Sequence, residues 1–138
     1  MTEQQNLEIV GRGYEAFARG DMEALFTLFD DDIEWISPGP PELPTAGMRR
    51  GKQQVAEFFQ AIDDVFEIQR FEPDAFVADG DRVVVLGSDT SRVKATGKVL
   101  DAEWAHVFTI RDGKIVAFKE YIDTAAVVAE LQAAQARA

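Results

Sequence analysis

The chain contains no cysteine and a single histidine, His106. Without cysteine there is no disulfide, no thiol nucleophile and no thiolate metal site. One histidine among scattered carboxylates lacks the clustered nitrogen ligands of zinc or iron sites, so we predict no metal. No GxGxxG motif follows a strand and no GxxxxGK[ST] motif occurs, so no nucleotide cofactor is indicated and we predict a protein without cofactors.

Basic residues and long apolar runs are also scarce. Fourteen lysines and arginines stand against 25 acidic residues, a net charge of -11. Such a surface repels phosphate backbones, so nucleic acid is not an expected partner. No apolar run approaches the ~20 residues that span a bilayer, and the polar, acidic start MTEQQNLEIV does not resemble a secretory signal. We therefore predict a cytoplasmic protein without membrane contact.

What is present fits one globular domain over residues 1–138, because 46% of the residues are hydrophobic and 28% are charged. Apolar residues recur at helical spacing in three segments of the N-terminal half. The first helix ends at Gly20, Asp21 caps a second short helix, and a third helix follows Gly51. A short strand over DDDIEWIS precedes a proline-rich segment, residues 38–47, which we expect to be an irregular loop and a lid.

The C-terminal half has the period of strands. Two strands are predicted to meet at residues 79–81, and residues 99–123 are predicted to form a hairpin around Asp112 and Gly113. A last short helix begins at Thr124. Helices followed by four antiparallel strands are typical of an α+β protein, with helices packed on one face of a curved sheet.

The hairpin admits two registers. A two-residue turn at Asp112 and Gly113 pairs Arg111 with Lys114, whereas a three-residue loop pairs Ile110 with Lys114. We predict the three-residue loop, because a one-residue slip turns a whole strand over and this register gathers the apolar residues on one face: Trp104, Phe108, Ile110, Val116, Phe118 and Ile122.

This register sets His106 opposite Phe118 and Trp104 opposite Glu120. His106 and Glu120 then lie diagonally across neighbouring strands on the same apolar face, within reach of each other. A carboxylate beside an imidazole fixes its tautomer and raises its basicity. Two interpretations stay open: the two groups satisfy each other's hydrogen bonds, or they form a catalytic pair.

The segments GYEAFARGDMEALFTLFDDDIEW, RRGKQQVAEFFQ and AHVFTIRDGKIVAFKEYID, in this order, resemble the NTF2-like superfamily. Within it, they resemble the SnoaL-like and ketosteroid-isomerase-like branch. The resemblance covers essentially the whole chain and implies a cone, in which a curved mixed or antiparallel sheet and three helices of the N-terminal half enclose a pocket. It also implies a small hydrophobic ligand in that pocket and a homodimer through the outer face of the sheet.

The resemblance to ketosteroid isomerases assigns positions to individual residues. Their general base falls on Ser37, whose hydroxyl cannot abstract a proton at neutral pH without a base of its own. Their protonated aspartic acid, an oxyanion donor, falls on His106, and their oxyanion tyrosine falls on or beside Tyr14. Glu120 falls at an inward position that is apolar in those enzymes. The Asp–Arg–Asp arrangement of the epoxide-hydrolase branch is matched only by histidine and glutamate.

The leading hypothesis is a SnoaL-like enzyme of the isomerase, cyclase or dehydratase type, which performs acid–base chemistry on a hydrophobic, carbonyl-bearing substrate. His106 would transfer a proton or donate to an oxyanion, Glu120 would orient and charge it, and Tyr14 would be a second donor. The alternatives are a non-catalytic binding protein for a small hydrophobic ligand and a dimeric association module. Five further residues are predicted to shape the pocket around the substrate: Trp35, Ser37, Trp104, Phe118 and Ile122.

Overall fold

The computed structural model describes residues 2–137 and confirms the α+β architecture. The described part holds four helices and one sheet of six strands in the order β2-β1-β6-β5-β4-β3. Neighbouring strands are antiparallel except β1 and β6, which are parallel, so the sheet is mixed. In chain order the elements are α1 (Glu3–Arg19), α2 (Met22–Thr27), β1 (Phe29–Ser37), β2 (Gly47–Arg50), α3 (Gly51–Val65), β3 (Phe66–Asp79), β4 (Arg82–Val93), β5 (Val99–Arg111), β6 (Lys114–Ile122) and α4 (Ala125–Arg137).

The ends of the first two helices follow from local chemistry. Thr2 and Gln5 form a capping box at the start of α1, which satisfies backbone N–H groups that have no partner inside the helix. Gly20 ends α1 in the left-handed conformation, with a φ of 70°. The Asp21 carboxylate then accepts the N–H of Ala24 at 3.1 Å and caps α2, as predicted.

The core lies between the inner face of the bent sheet and helices α1, α2 and α3. Strand β4 shows how the sheet supplies its half: every second residue faces inward, since successive side chains of a strand point to opposite faces. Val83, Val85 and Val93 are each 0% exposed. The helices contribute Ile9, Val10, Leu25, Val55 and Phe58.

The turn of the β5–β6 hairpin corrects the predicted register. Arg111 pairs with Lys114, so the turn has two residues and the prediction of a three-residue loop is wrong. Asp112 and Gly113 have φ values of 50° and 79°. Both lie in the left-handed region, which the two central residues of a type I′ turn require and which Asp-Gly adopts readily.

A bulge after this turn restores the predicted face. Ile110 pairs with Ile115, and Thr109 pairs with Ala117, so Val116 is an extra residue without a partner in β5. The extra residue shifts β6 by one position and places the following apolar residues of β6 on the inner face. The set that shares this face therefore contains Ile115 in place of the predicted Val116.

The bulge also changes which residues are opposed farther along the hairpin. His106 lies directly opposite Glu120, not opposite Phe118, and Trp104 lies opposite Ile122, not opposite Glu120. The prediction that His106 and Glu120 share a face within reach is confirmed, whereas their predicted diagonal placement is wrong.

The proline-rich segment is irregular from Pro38 to Ala46, but Gly47 already belongs to β2, a short strand that the sequence reasoning missed. Within the loop, Leu43 and Thr45 are buried, with 3% and 5% of their surface exposed. The Arg49 guanidinium donates to the backbone oxygens of Pro44 and Thr45. The loop is therefore packed onto the domain, and two of its backbone carbonyls are fixed by hydrogen bonds from Arg49 of β2.

The outer face of the sheet carries exposed apolar side chains. Leu86 is 48% exposed and Tyr121 is 51% exposed, and both lie in register with Ala105 across three strands. The homodimer through this face stays a prediction. No helix in residues 2–137 has the length and apolar character needed to cross a bilayer.

Candidate functional site

A cavity of about 190 Å³ opens between the inner face of the sheet and the helices. Its walls are mainly aromatic and aliphatic, and the proline-rich loop contributes Pro38, Leu43 and Thr45 to them. Helix α4 covers part of it through Ala126 and Val127. Seven of the eight residues predicted for the site line this cavity: Tyr14, Trp35, Ser37, His106, Phe118, Glu120 and Ile122.

His106 is buried, with 5% of its surface exposed, and both ring nitrogens are hydrogen-bonded. Its Nδ1 lies 2.6 Å from the hydroxyl of Tyr14 on α1, and its Nε2 lies 2.8 Å from Oε2 of Glu120 on β6. The ring also stacks on the indole of Trp104, with a distance of 3.8 Å between ring centroids. The single histidine is thus held on three sides.

The direction of these hydrogen bonds follows from the state of Tyr14. Burial, and next the negative charge of Glu120, raise the pKa of the Tyr14 phenol well above its usual range, so the phenol stays protonated. Its O–H donates to Nδ1 of His106, which leaves the ring proton on Nε2. The Nε2–H then donates to the Glu120 carboxylate. Tyr14, His106 and Glu120 form one chain of donors that ends on a carboxylate.

One oxygen of Glu120 has a single, weak hydrogen-bond partner among the described residues. Oε2 of Glu120 accepts from His106, whereas Oε1 has only a long contact of 3.4 Å from the Ser37 hydroxyl. The Glu120 side chain is 19% exposed, compared with 6% for the side chain of His106. A molecule in the cavity can reach the carboxylate more readily than the imidazole, whose nitrogens are both occupied.

Trp104 is the predicted site residue that the structure does not place in the cavity wall. Its indole is 3% exposed and lies between the His106 ring and the backbone at Gly87. Trp104 therefore supports His106 from behind. Trp35 does line the cavity, where its ring stacks on Phe118 at 3.9 Å and its indole N–H has no hydrogen-bond partner among the described residues.

Asp89 on β4 is a cavity residue that the sequence reasoning missed. A signal was present: in the strand VVVLGSDTSRV, Asp89 shares the inward phase with Val83, Val85 and Val93. A carboxyl group on a phase that otherwise holds valines, Gly87 and Ser91 is costly, because burial penalises its charge. Burial, and next the charge of Glu120, raise the pKa of Asp89 to about 6, although Arg70 and Ser91 act in the opposite direction.

The raised pKa of Asp89 predicts how stability depends on pH. The folded protein binds this proton more tightly than the unfolded chain, so stability falls as pH rises from about 4 to above 6. Asp89→Asn removes the charge, and we expect it to be about 1–2 kcal/mol more stable than the wild type near pH 7.5, after allowance for partial solvent screening. This advantage should shrink near pH 4.5.

Urea denaturation at the two pH values measures this difference. Asp74→Asn, at an exposed position outside the cavity wall, removes the same charge and should change stability by less than about 0.5 kcal/mol. An Asp89→Asn advantage of equal size at both pH values would contradict the prediction.

Comparison with known proteins places this geometry in a family. Residues 10–118 match the family model described as a SnoaL-like domain. An uncharacterised protein of Mycobacterium tuberculosis is 32% identical over 139 aligned residues, which cover 91% of this chain and 95% of that protein.

Solved structures show the same fold. An NTF2-like protein from Burkholderia xenovorans is 40% identical, with a TM-score of 0.84 over 94% of this chain and 97% of its own. TerC, crystallised with polyporic acid, is 28% identical, with a TM-score of 0.83 over 93% of this chain and 98% of its own. The cone enclosing a cavity that the sequence predicts is therefore the NTF2-like fold, and the chain belongs to the SnoaL-like family.

Proposed function

We propose that this chain is an enzyme that transfers a proton on a hydrophobic, carbonyl-bearing small molecule in its cavity, with Glu120 as the base and without a cofactor. The observation that supports it is the hydrogen-bonded chain from Tyr14 through His106 to Glu120, which ends on a carboxylate in a mainly apolar cavity wall. A carboxylate that is held in place beside a bound substrate can act as a general base.

His106 and Glu120 have different roles here from those that the sequence predicted. In that prediction, His106 transferred the proton and Glu120 oriented it. Both nitrogens of His106 are occupied, so we assign it a positioning role: it holds Oε2 of Glu120 and leaves Oε1 for the substrate. Tyr14 in turn fixes the tautomer of His106.

The position of Glu120 beside Ser37 gives this assignment a rationale. Strands β1 and β6 are parallel neighbours, and Ile36 pairs with Lys119, so the next residues on each strand are Ser37 and Glu120. Ser37 stands where the resemblance to ketosteroid isomerases places a general base. We infer that the carboxylate has moved to the neighbouring strand, with the Ser37 hydroxyl as its 3.4 Å contact.

Proton exchange on a simple ketone tests the proposed base. In deuterated buffer, the wild type should accelerate the loss of the α-proton NMR signal of 1-tetralone, a bicyclic aryl ketone. Glu120→Gln keeps the shape but removes the base, and should reduce the acceleration by about 100-fold or more. Asp74→Asn, at an exposed position outside the cavity wall, should leave it unchanged.

The outcomes separate the hypotheses. Exchange that survives Glu120→Gln at the wild-type rate would show that Glu120 is not the base. Binding of 1-tetralone without any exchange would favour the non-catalytic binding protein. The association module predicted no cavity beside His106, and His106 lines one.

A further inference from the structure

Asp89 takes no part in the acid–base chemistry proposed for Glu120, yet its carboxyl group faces the same cavity. Among the described residues, no lysine or arginine forms a salt bridge with it. Arg70 is close enough to lower the pKa of Asp89, but its guanidinium donates to Thr90 at 3.1 Å and Ser88 at 2.9 Å. Asp89 is therefore a half-buried acid that has no ion-pair partner within residues 2–137.

The rest of the cavity wall would favour a cation. Within residues 2–137, no lysine or arginine lines the cavity, and its carboxyl groups are those of Asp89, Asp101, Glu120 and Asp123. Aromatic faces surround this space, and rings attract cations within about 6 Å of their centroids. Phe71 is paired with Asp89 across strands β3 and β4 and also lines the cavity. An anionic ligand would meet four carboxyl groups without a counter-charge.

We propose that Asp89 binds a basic amine, and that the molecules this cavity accepts are hydrophobic compounds carrying a cationic nitrogen. This inference rests on the proposed function and adds the substrate class to it. Asp89 pairs with Ala102 and Glu120 pairs with His106, four residues farther along β5. The two carboxyl groups therefore lie at different positions along the cavity wall: Asp89 holds the amine, and Glu120 faces the carbon that loses its proton.

Electrostatic attraction increases the affinity of the cavity for a cationic amine but not for a neutral ligand. The charge of Glu120 raises the free energy of ionised Asp89, and burial raises it further. A cation at Asp89 neutralises the repulsion between the two carboxylates and replaces the missing ion-pair partner. A hydroxyl group of the same size can only accept or donate a hydrogen bond there, which is the weaker interaction.

Three probes of matched shape test the proposal by isothermal titration calorimetry near neutral pH. They are 1-naphthylmethylamine, which is cationic there, 1-naphthalenemethanol, which is neutral, and 1-naphthoate, which is anionic. We expect the amine to bind about tenfold more tightly than the alcohol, and the carboxylate to bind least.

Two variants distinguish the site from the overall charge of the protein. Asp89→Asn and Asp74→Asn each remove one negative charge, and Asp74 is exposed and lies outside the cavity wall, so any general attraction falls equally in both. Asp89→Asn should abolish the preference for the amine over the alcohol, whereas Asp74→Asn should keep it. Because Asp89→Asn removes a half-buried charge, the variant should fold, and its NMR spectrum checks this.

Three outcomes would overturn the inference: an alcohol that binds the wild type as tightly as the amine, a preference that survives Asp89→Asn, or no binding of the amine at millimolar concentration. None of these results bears on the exchange of 1-tetralone, so failure of the amine site and failure of Glu120 as the base are separate findings.

Discussion

Gly87→Ala should destabilise the fold by about 3 kcal/mol, because the added methyl group has no room. A Cβ at Gly87 would lie 2.5 Å from Cζ2 of Trp104, still closer to its Cη2, and 2.6 Å from the backbone oxygen of Glu72. The Glu72 oxygen belongs to the neighbouring strand and cannot turn away. The Trp104 ring cannot withdraw either, since it stacks on His106 at 3.8 Å. We expect the strand, the indole and the imidazole all to shift.

Urea denaturation measures the loss of stability, and Gly11→Ala is the matched control. Gly11 lies in α1, and a Cβ there would meet nothing within 4 Å. Alanine is the better helix former, so this variant should be about 0.5–1 kcal/mol more stable than the wild type. Equal stability of the two variants would show that Trp104 does not pack on Gly87 as described.

His106→Leu should destabilise the fold by about 3 kcal/mol, because it removes the partner of two polar groups at once. The Glu120 carboxylate loses its 2.8 Å donor, and the Tyr14 hydroxyl loses its 2.6 Å acceptor. Both groups lie in the cavity wall, where water replaces the lost bonds poorly. Most of the loss is the free energy of an unpaired carboxylate.

A double-mutant cycle separates this effect from simple repacking. Adding Glu120→Leu to His106→Leu removes the stranded carboxylate, so the double variant should be more stable than His106→Leu alone. We expect a coupling energy of about 2 kcal/mol between the two positions, from urea denaturation of all four proteins. Additive effects would mean that His106 and Glu120 do not interact in solution.

The helix ends and the hairpin turn show where local sequence is sufficient. Gly20 ends α1, Asp21 caps α2, and Asp112 with Gly113 forms the hairpin turn. Each of these features depends on the conformational preference of one or two residues, so the local sequence is enough to predict it. The prediction of the turn failed when this preference was set aside in favour of the hydrophobic pattern.

For the His106–Glu120 pair, the predicted sheet face was correct although the predicted hairpin register was wrong. The alternation of apolar residues in β5 and β6 predicted that the apolar residues of both strands share the inner face. The structure confirms this. The bulge at Val116 reconciles that face with the two-residue turn. No glycine marks the bulge, and its position depends on how the two strands fit against the core, so the sequence pattern could not locate it.

The sequence by itself determined the class of fold, the family, and which residues of each strand face the core. It also determined that a polar pair lies on an apolar face. These features follow from periodicity and turn chemistry along the chain. Only the tertiary structure decided which groups meet. Tyr14 is 92 residues away from His106 in the chain and yet is hydrogen-bonded to it, and the negative charge of Glu120 helps to raise the pKa of Asp89. These encounters depend on the bend of the sheet and the packing of α1 against it, which is a property of the whole core rather than of any segment.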